Sequence, residues 1–175
     1  MAQESKLRIF FMDEASFGRI SEPSYCWCPA GVRPTVPSQR VREYVYVYGA
    51  VDPVNGDSFF IITPKCNTAW TSEFLKALSN EYPNDFILIC TDRASWHRSK
   101  QLIVPDSMHI HFLPPYTPEM NPIEQIWIET RKDGFKNTLF NSLNSVIDKL
   151  SYTLNSFSCA LIKSVCGRDW IVSMF

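Results

Sequence analysis

The segment from Tyr44 to Thr63, YVYVYGAVDPVNGDSFFIIT, decides the fold. Tyrosine alternates with valine in its first half, and both faces of such a strand are apolar, which predicts a central strand covered on both sides. Asp52 to Asp57 is a strong turn signal, and the run from Ser58 to Thr63 predicts a returning strand. The segment therefore predicts a β-hairpin within a larger sheet.

The sequence on either side of this hairpin predicts alternating strands and helices. Residues 7–12 predict a first strand, and residues 14–43, which contain four prolines, predict a loop or an irregular hairpin around Trp27. Later segments predict a helix over Thr68–Tyr82, a strand over Phe86–Thr91, a short helix over Ser95–Leu102, a strand over His109–Leu113, a helix over 122–134 and a long helix from Asn137 or Thr138 to Phe157. We therefore expect a single α/β domain over residues 1–175, with a central mixed sheet of three antiparallel strands plus parallel strands, flanked by helices.

Composition restricts the class of protein. With 175 residues, of which 45% are hydrophobic, the chain is long enough for one globular domain. The net charge of −1 gives no global basic excess, so any contact with nucleic acid requires a local basic track. The sequence shows no secretory signal, no apolar run of about 20 residues and no zinc-ribbon spacing of cysteines. These features predict a cytoplasmic protein that does not contact a membrane.

Three acidic residues are the candidates for chemistry. Asp13 and Asp92 each follow an apolar strand segment. Glu124 lies within the run LPPYTPEMNPIEQIW, Leu113 to Trp127, in the first turn of a helix that is entered through a proline-rich loop. If the first and fourth strands are parallel neighbours, both aspartates lie at the same edge of the sheet. Three carboxylates at one edge would repel one another unless cations neutralised them, and hard oxygen ligands suit Mg²⁺. The pattern predicts a pair of divalent ions and phosphodiester chemistry.

A structural explanation competes with this interpretation. Asn121, Pro122, Ile123 and Glu124 match the first positions of a helix that begins with a capping box, and that role needs no metal. Asp13 and Asp92 are also in places where aspartate often only forms a turn or caps a helix. The local sequence leaves both explanations open.

Taken together, these motifs resemble the catalytic domain of the DDE transposases, and most closely the mariner-like transposases of bacterial insertion sequences. The resemblance covers residues 7–135 and rests on four features: Asp13-Glu14 after a strand, the Trp27 to Gly31 turn, Asp92 with His97 downstream, and the run that ends in Glu124 and Trp127. It implies a ribonuclease-H-like fold with Asp13, Asp92 and Glu124 as the catalytic and metal-binding triad. It also implies cleavage at transposon ends and transfer of the freed 3′-hydroxyl to target DNA, with two Mg²⁺ or Mn²⁺ ions.

The chain departs from the family pattern in three ways. Arg93 stands where the family commonly has asparagine, and the 31 residues between Asp92 and Glu124 are a little fewer than is usual in the group. The family's N-terminal helix-turn-helix module is not found before the first strand. We expect DNA contacts from basic residues near the acids and from the downstream histidine, namely Arg93, His97, Arg98, Lys100, Arg131 and Lys132. Further candidate partners are a second copy of the chain and a separately encoded or frameshift-fused helix-turn-helix part. Two alternative functions are an inactive or domesticated remnant used for binding or dimerisation, and a stand-alone ribonuclease-H-like nuclease.

Overall fold

A mixed sheet organises residues 6–173, the part of the chain that the computed structural model describes. Its strands are β1 (Lys6–Ile20), β2 (Arg40–Asp52), β3 (Asp57–Thr63), β4 (Asp85–Thr91) and β5 (Met108–Phe112). Their order across the sheet is β3-β2-β1-β4-β5. Strands β1, β2 and β3 pair antiparallel, whereas β4 runs parallel to β1 and β5 parallel to β4. The predicted mixed sheet is confirmed, and β1 lies at its centre.

Strand β1 is longer than the sequence predicted. It pairs with β4 only as far as Phe11, but its pairing with β2 continues to Ile20. The segment predicted as a loop or irregular hairpin over residues 14–43 is an irregular hairpin, because its two ends belong to β1 and β2 and Ile20 pairs with Arg40. The extension is stable because Ala15 and Phe17 alternate with exposed or partly exposed residues and are themselves buried in the core.

Five helices accompany the sheet in the described residues. They are α1 (Thr68–Glu81), α2 (Ile123–Lys132), α3 (Leu143–Ser156), α4 (Cys159–Cys166) and α5 (Asp169–Val172). Helix α1 matches its prediction closely, and Asn67 caps it by accepting a hydrogen bond from the backbone amide of Trp70. A single 3₁₀ turn, Pro118–Met120, precedes α2.

One predicted helix is wrong, and a second begins later than predicted. Residues 95–102 form turns without a helix. The long helix expected from Asn137 or Thr138 to Phe157 begins only at Leu143, because Ser142 caps it and forms a reciprocal capping box with Ser145. That helix then ends at Ser156, and a separate helix, α4, follows it.

The sheet separates two apolar layers. Because successive side chains of a strand point to opposite faces, Phe10 and Met12 of β1 pack beneath α1, whereas Phe11 packs on the side of α2, α3 and α4. Trp127 of α2 is buried in this second layer. Within residues 6–173 no helix combines the length and apolar character that crossing a bilayer requires.

Candidate functional site

Asp13, Asp92 and Glu124 line one cavity of about 440 Å³. The cavity lies at the carboxyl end of β4, and the loop from Leu113 to Pro118 forms one of its walls. Asp13 lies two residues after Phe11, the last β1 residue paired with β4, and Asp92 directly follows the last residue of β4 itself. Parallel pairing of these strands therefore brings both aspartates to one edge, as the sequence led us to expect.

Asp13 is held by a side chain from α2. The indole Nε1 of Trp127 donates a hydrogen bond to Oδ2 of Asp13, with 2.9 Å between the two atoms. Gly49 of β2 lies directly opposite Asp13 in the antiparallel register. A Cβ at Gly49 would stand 2.6 Å from Cη2 of Trp127 and 2.9 Å from Cδ1 of Ile123. Glycine at this position therefore lets α2 approach the sheet closely enough for the indole to reach the carboxylate.

Burial and neighbouring acids make Asp13 hard to ionise. Burial raises the pKa of its carboxyl to about 7, and the charges of Glu124 and Glu14 add to the increase, although the Trp127 hydrogen bond opposes it. A carboxyl with this pKa is neutral in about half of the molecules near pH 7. A nearby cation would favour its ionised form.

Asp92 belongs to a hydrogen-bonded chain that joins β4 to β1. Nδ1 of His97 and the backbone amide of Ala94 both contact Oδ1 of Asp92, at 2.8 Å and 2.9 Å. Nε2 of the same histidine lies 2.8 Å from Oε1 of Glu14. The hydrogen bond from His97 lowers the pKa of Asp92. Burial acts to lower the pKa of His97, but its bonds to Asp92 and Glu14 outweigh burial and raise it to about 9.

His97 therefore has a different position from the one expected of a DNA-contacting residue. Its side chain is 1% exposed, and each ring nitrogen faces a carboxylate. With a pKa of about 9 the ring is protonated at neutral pH and can donate from both nitrogens. The structure places His97 where it orients Asp92, and it is not available on the protein surface.

Glu124 does not take part in a capping box. Helix α2 begins without a hydrogen bond from a capping side chain. The amide Nδ2 of Asn121 instead donates to the backbone oxygen of Met12 at 3.0 Å, and the amide of Glu124 bonds to the backbone oxygen of Asn121. Burial raises the pKa of Glu124, Arg131 opposes this increase and Asp92 adds to it. The capping explanation for this glutamate is therefore wrong, because the Asn121 side chain is used elsewhere.

The groups around the cavity fit a divalent cation by their chemistry. Three carboxylates are hard oxygen ligands, and Oδ1 of the buried Asn121 side chain has no hydrogen-bond partner among the described residues. Across residues 6–173 no three His, Cys, Asp or Glu side chains converge closely enough to hold a metal ion together. Ions held by two carboxylates each, with water in the other positions, fit this arrangement better than one ion held by all three.

The structure brings only one of the predicted DNA-contacting cations to the cavity wall, and that residue is Arg93. Arg98 and Lys100 are exposed on the turns after Asp92. Arg131 and Lys132 lie in the last turn of α2, where Lys132 is 2.6 Å from Glu129 and Arg131 lies over the ring of Phe17.

Four residues of the site had no functional role in the sequence interpretation. Trp127 and Gly49 position Asp13, Glu14 anchors His97, and Asn121 ties the proline-rich run to β1. Each acts across a distance of tens of residues in the sequence, so local patterns carry little signal for it. The sequence carried no signal for the contact of Asn121 either, because only the structure shows that α2 begins without a side-chain cap.

Comparison with known proteins agrees with this geometry. Residues 8–147 match the family described as DDE superfamily endonuclease. The uncharacterized protein y4pE/y4sA of Sinorhizobium fredii is 30% identical over 128 residues, which cover 73% of this chain and 89% of that protein. The Mos1 transposase paired-end complex with left transposon end has a TM-score of 0.69 at 15% identity, covering 91% of this chain and 51% of that one. The Mos1 mariner paired end complex with Mn has a TM-score of 0.66 at 15% identity, covering 91% and 52%.

The two Mos1 structures confirm the expected ribonuclease-H-like fold, and at their low sequence identity they establish the fold alone. This chain spans about half the length of the Mos1 chains that it matches. The family match extends from β1 into α3 and includes all three acids of the cavity. On this match, the chain belongs to the DDE superfamily endonucleases.

Proposed function

We propose that this chain is the catalytic domain of a DNA transposase, which cleaves phosphodiester bonds at transposon ends and then joins DNA strands. The observation that carries the proposal is the single cavity lined by Asp13, Asp92 and Glu124 in a member of the DDE family. The likeness to Mos1 complexes with a transposon end and with Mn supports DNA as the substrate and a divalent ion as the cofactor.

In this proposal, the three carboxylates hold two Mg²⁺ or Mn²⁺ ions, with Asp13 shared and with Asp92 and Glu124 each holding one. When bound, the ions supply positive charge to the attacking and leaving oxygens of an in-line phosphoryl transfer. Trp127 fixes the Asp13 carboxylate, and His97 fixes the Asp92 carboxylate. Arg93, on the wall of the same cavity, is placed to contact a DNA phosphate.

The partners of the domain are also proposals. Transposon-end and target DNA would enter the cavity, and weak, sequence-independent contacts to phosphates would supply most of the affinity of this domain alone. A second copy of the chain and a separately encoded or frameshift-fused helix-turn-helix part are the candidate protein partners. Ultracentrifugation of the chain with and without DNA measures whether a dimer forms.

Nicking of supercoiled plasmid tests the activity. We expect nicking in Mg²⁺ or Mn²⁺, none in EDTA and none with Asp92→Asn. Asp106→Asn is the matched control, because Asp106 is an exposed aspartate that precedes β5 and so lies at the opposite end of the parallel strands from Asp92. This variant should keep full activity.

Each other outcome has a definite meaning. Equal nicking by Asp92→Asn contradicts the proposed role of the acid. Binding of Mn²⁺ without nicking, even on DNA that carries the transposon ends, favours the inactive remnant. Cleavage that ignores transposon ends favours a stand-alone ribonuclease-H-like nuclease.

A further inference from the structure

Asn121 is a buried polar residue whose hydrogen bonding is incomplete. Its side chain lies at the cavity that Asp13, Asp92 and Glu124 line, and the residue is 6% exposed. Nδ2 donates to the backbone oxygen of Met12, but Oδ1 has no partner in the described part of the chain. An unpaired buried acceptor costs about 1–3 kcal/mol, so an unused carbonyl at a cavity requires an explanation.

The orientation of this amide is fixed by its one partner. The backbone oxygen of Met12 can only accept a hydrogen bond, so the NH₂ group of Asn121 must face it and the oxygen must face away. The backbone around Asn121 is fixed too, because its amide bonds to Pro118 and its carbonyl accepts from Glu124. Neither a flip of the amide nor a shift of the main chain can therefore satisfy Oδ1.

None of the described residues donates a hydrogen bond to Oδ1 of Asn121. A donor is available three residues further along the chain, but it is used elsewhere. The amide of Glu124 is the partner that a capping asparagine would take, and it bonds instead to the backbone oxygen of Asn121 at 3.2 Å. The cavity that this residue lines is the nearest place from which a partner for Oδ1 could come. That cavity is lined by three carboxylates, which attract cations and repel anions.

We propose that Oδ1 of Asn121 is a fourth oxygen ligand for the divalent cation of this cavity, an inference that rests on the proposed metal site. A neutral carbonyl oxygen suits Mg²⁺ and Mn²⁺ and adds a ligand without adding negative charge to three carboxylates. The tie to Met12 places this ligand beside Asp13, the next residue of β1. Asn121 thus belongs to the metal site as well as to the packing of α2 on the sheet.

Two variants of Asn121 test the proposal by metal binding and without any measurement of activity. Asn121→Ala removes the oxygen, and we expect its Mn²⁺ dissociation constant, measured by electron paramagnetic resonance, to rise at least about tenfold. Asn121→Cys exchanges a hard ligand for a soft one. The exposed thiols of the wild type, Cys26, Cys28 and Cys159, bind Cd²⁺ themselves. We therefore expect Asn121→Cys to show an additional ultraviolet thiolate-to-Cd²⁺ absorption band beyond that of the wild type, which a packing defect alone would not produce.

Controls separate the possible failures. Thermal unfolding in EDTA checks that each variant is folded, and adding Asp13→Asn to Asn121→Cys should abolish the new absorption band. If Asp13→Asn leaves Mn²⁺ binding at its wild-type strength, the proposed metal site itself is wrong. If Asp13→Asn weakens binding but Asn121→Ala does not, and Asn121→Cys shows no additional band, the metal site stands and Asn121 is not its ligand.

Discussion

The indole nitrogen of Trp127 lies 2.9 Å from Oδ2 of Asp13 and donates a hydrogen bond to it. Trp127 stands three residues after Glu124, which is about one turn of α2, so both side chains project from the same side of the helix. One helix therefore supplies an acid of the cavity and also holds another acid that β1 supplies. The position of α2 on the sheet sets the position of both.

Removing this hydrogen bond should weaken both the metal site and the fold. Trp127→Phe keeps an aromatic ring in the core but leaves Oδ2 of Asp13 without its indole donor. We expect Mn²⁺ affinity at pH 7 to fall roughly tenfold and the free energy of unfolding to fall by about 1–3 kcal/mol. Trp70→Phe, on α1 in the other apolar layer, is the matched control and should keep wild-type Mn²⁺ affinity. Equal losses in the two variants would contradict a role for the indole at Asp13.

Metal affinity should depend on pH through Asp13. Its pKa of about 7 means that a proton competes with the cation at neutral pH and below. We expect Mn²⁺ affinity to increase roughly tenfold per pH unit from pH 5 until it levels near pH 7. Isothermal titration calorimetry in buffers of different ionisation enthalpy measures both the affinity and the proton released. A flat affinity profile across this range would show that Asp13 does not titrate with the cation.

The metal-free protein should respond to pH in the opposite sense. The folded pKa of Asp13, about 7, lies above the usual value of 3.8, so its neutral form stabilises the fold at low pH, and this stabilisation is lost as pH rises through 7. His97 contributes stability that is complete below pH 6.5 and is lost as pH rises through about 9. Urea unfolding in EDTA should therefore show stability falling from pH 4 to 9. Asp13→Asn should remove the part of this decrease below pH 7.

The buried contact between His97 and Glu14 should contribute strongly to stability. His97→Ala leaves a carboxylate that is only 6% exposed without its partner, which should cost about 3–5 kcal/mol. Combining it with Glu14→Gln removes the unpaired charge, so the double variant should lose less than the sum of the single losses. The control is the same double-mutant cycle on Arg19 and Glu43, a pair in which the Glu43 side chain is 47% exposed. The coupling free energy of this pair, measured by urea denaturation, should be below about 1 kcal/mol. Equal couplings for the two pairs would show that burial does not strengthen the histidine contact.

Arg93 should contribute to DNA affinity as a phosphate contact. Arg93→Ala should weaken binding to all DNA sequences alike and reduce the salt dependence by about one unit of slope. Lys76→Ala, an exposed cation on α1, is the matched control and should change neither quantity. Fluorescence anisotropy over a series of salt concentrations measures both. Tighter binding by Arg93→Ala would mean that this residue obstructs the cavity.

The sheet was predictable because its strands have strong local patterns. The alternation from Tyr44 to Val51 and the turn at Asp52 to Asp57 identify their hairpin without any knowledge of tertiary structure. The placement of Asp13 and Asp92 at one edge followed from parallel pairing of their strands. Local patterns could not show how far β1 continues beyond its pairing with β4, because the extension is held only by its pairing with β2.

The failures arose where side chains from distant elements override local preference. Residues 95–102 have helical spacing, but His97 is held between Asp92 and Glu14, and the amide of Ile103 bonds to Ser72 of α1. Before α3, Asn137 has a positive φ of 56° and bonds to Ser24 of the long loop, which prevents a helix from starting there. The capping role expected of Asn121 was wrong for the same reason, because its side-chain amide donates a hydrogen bond to the backbone of β1 instead.

Anomalous diffraction from crystals grown with Mn²⁺ tests the central claim most directly. We predict two manganese peaks in the cavity, one between Asp13 and Asp92 and one between Asp13 and Glu124, and both should be lost in Asp13→Asn. Manganese bound elsewhere on the chain, with no peak beside any of these three carboxylates, would contradict the metal site and the function that rests on it.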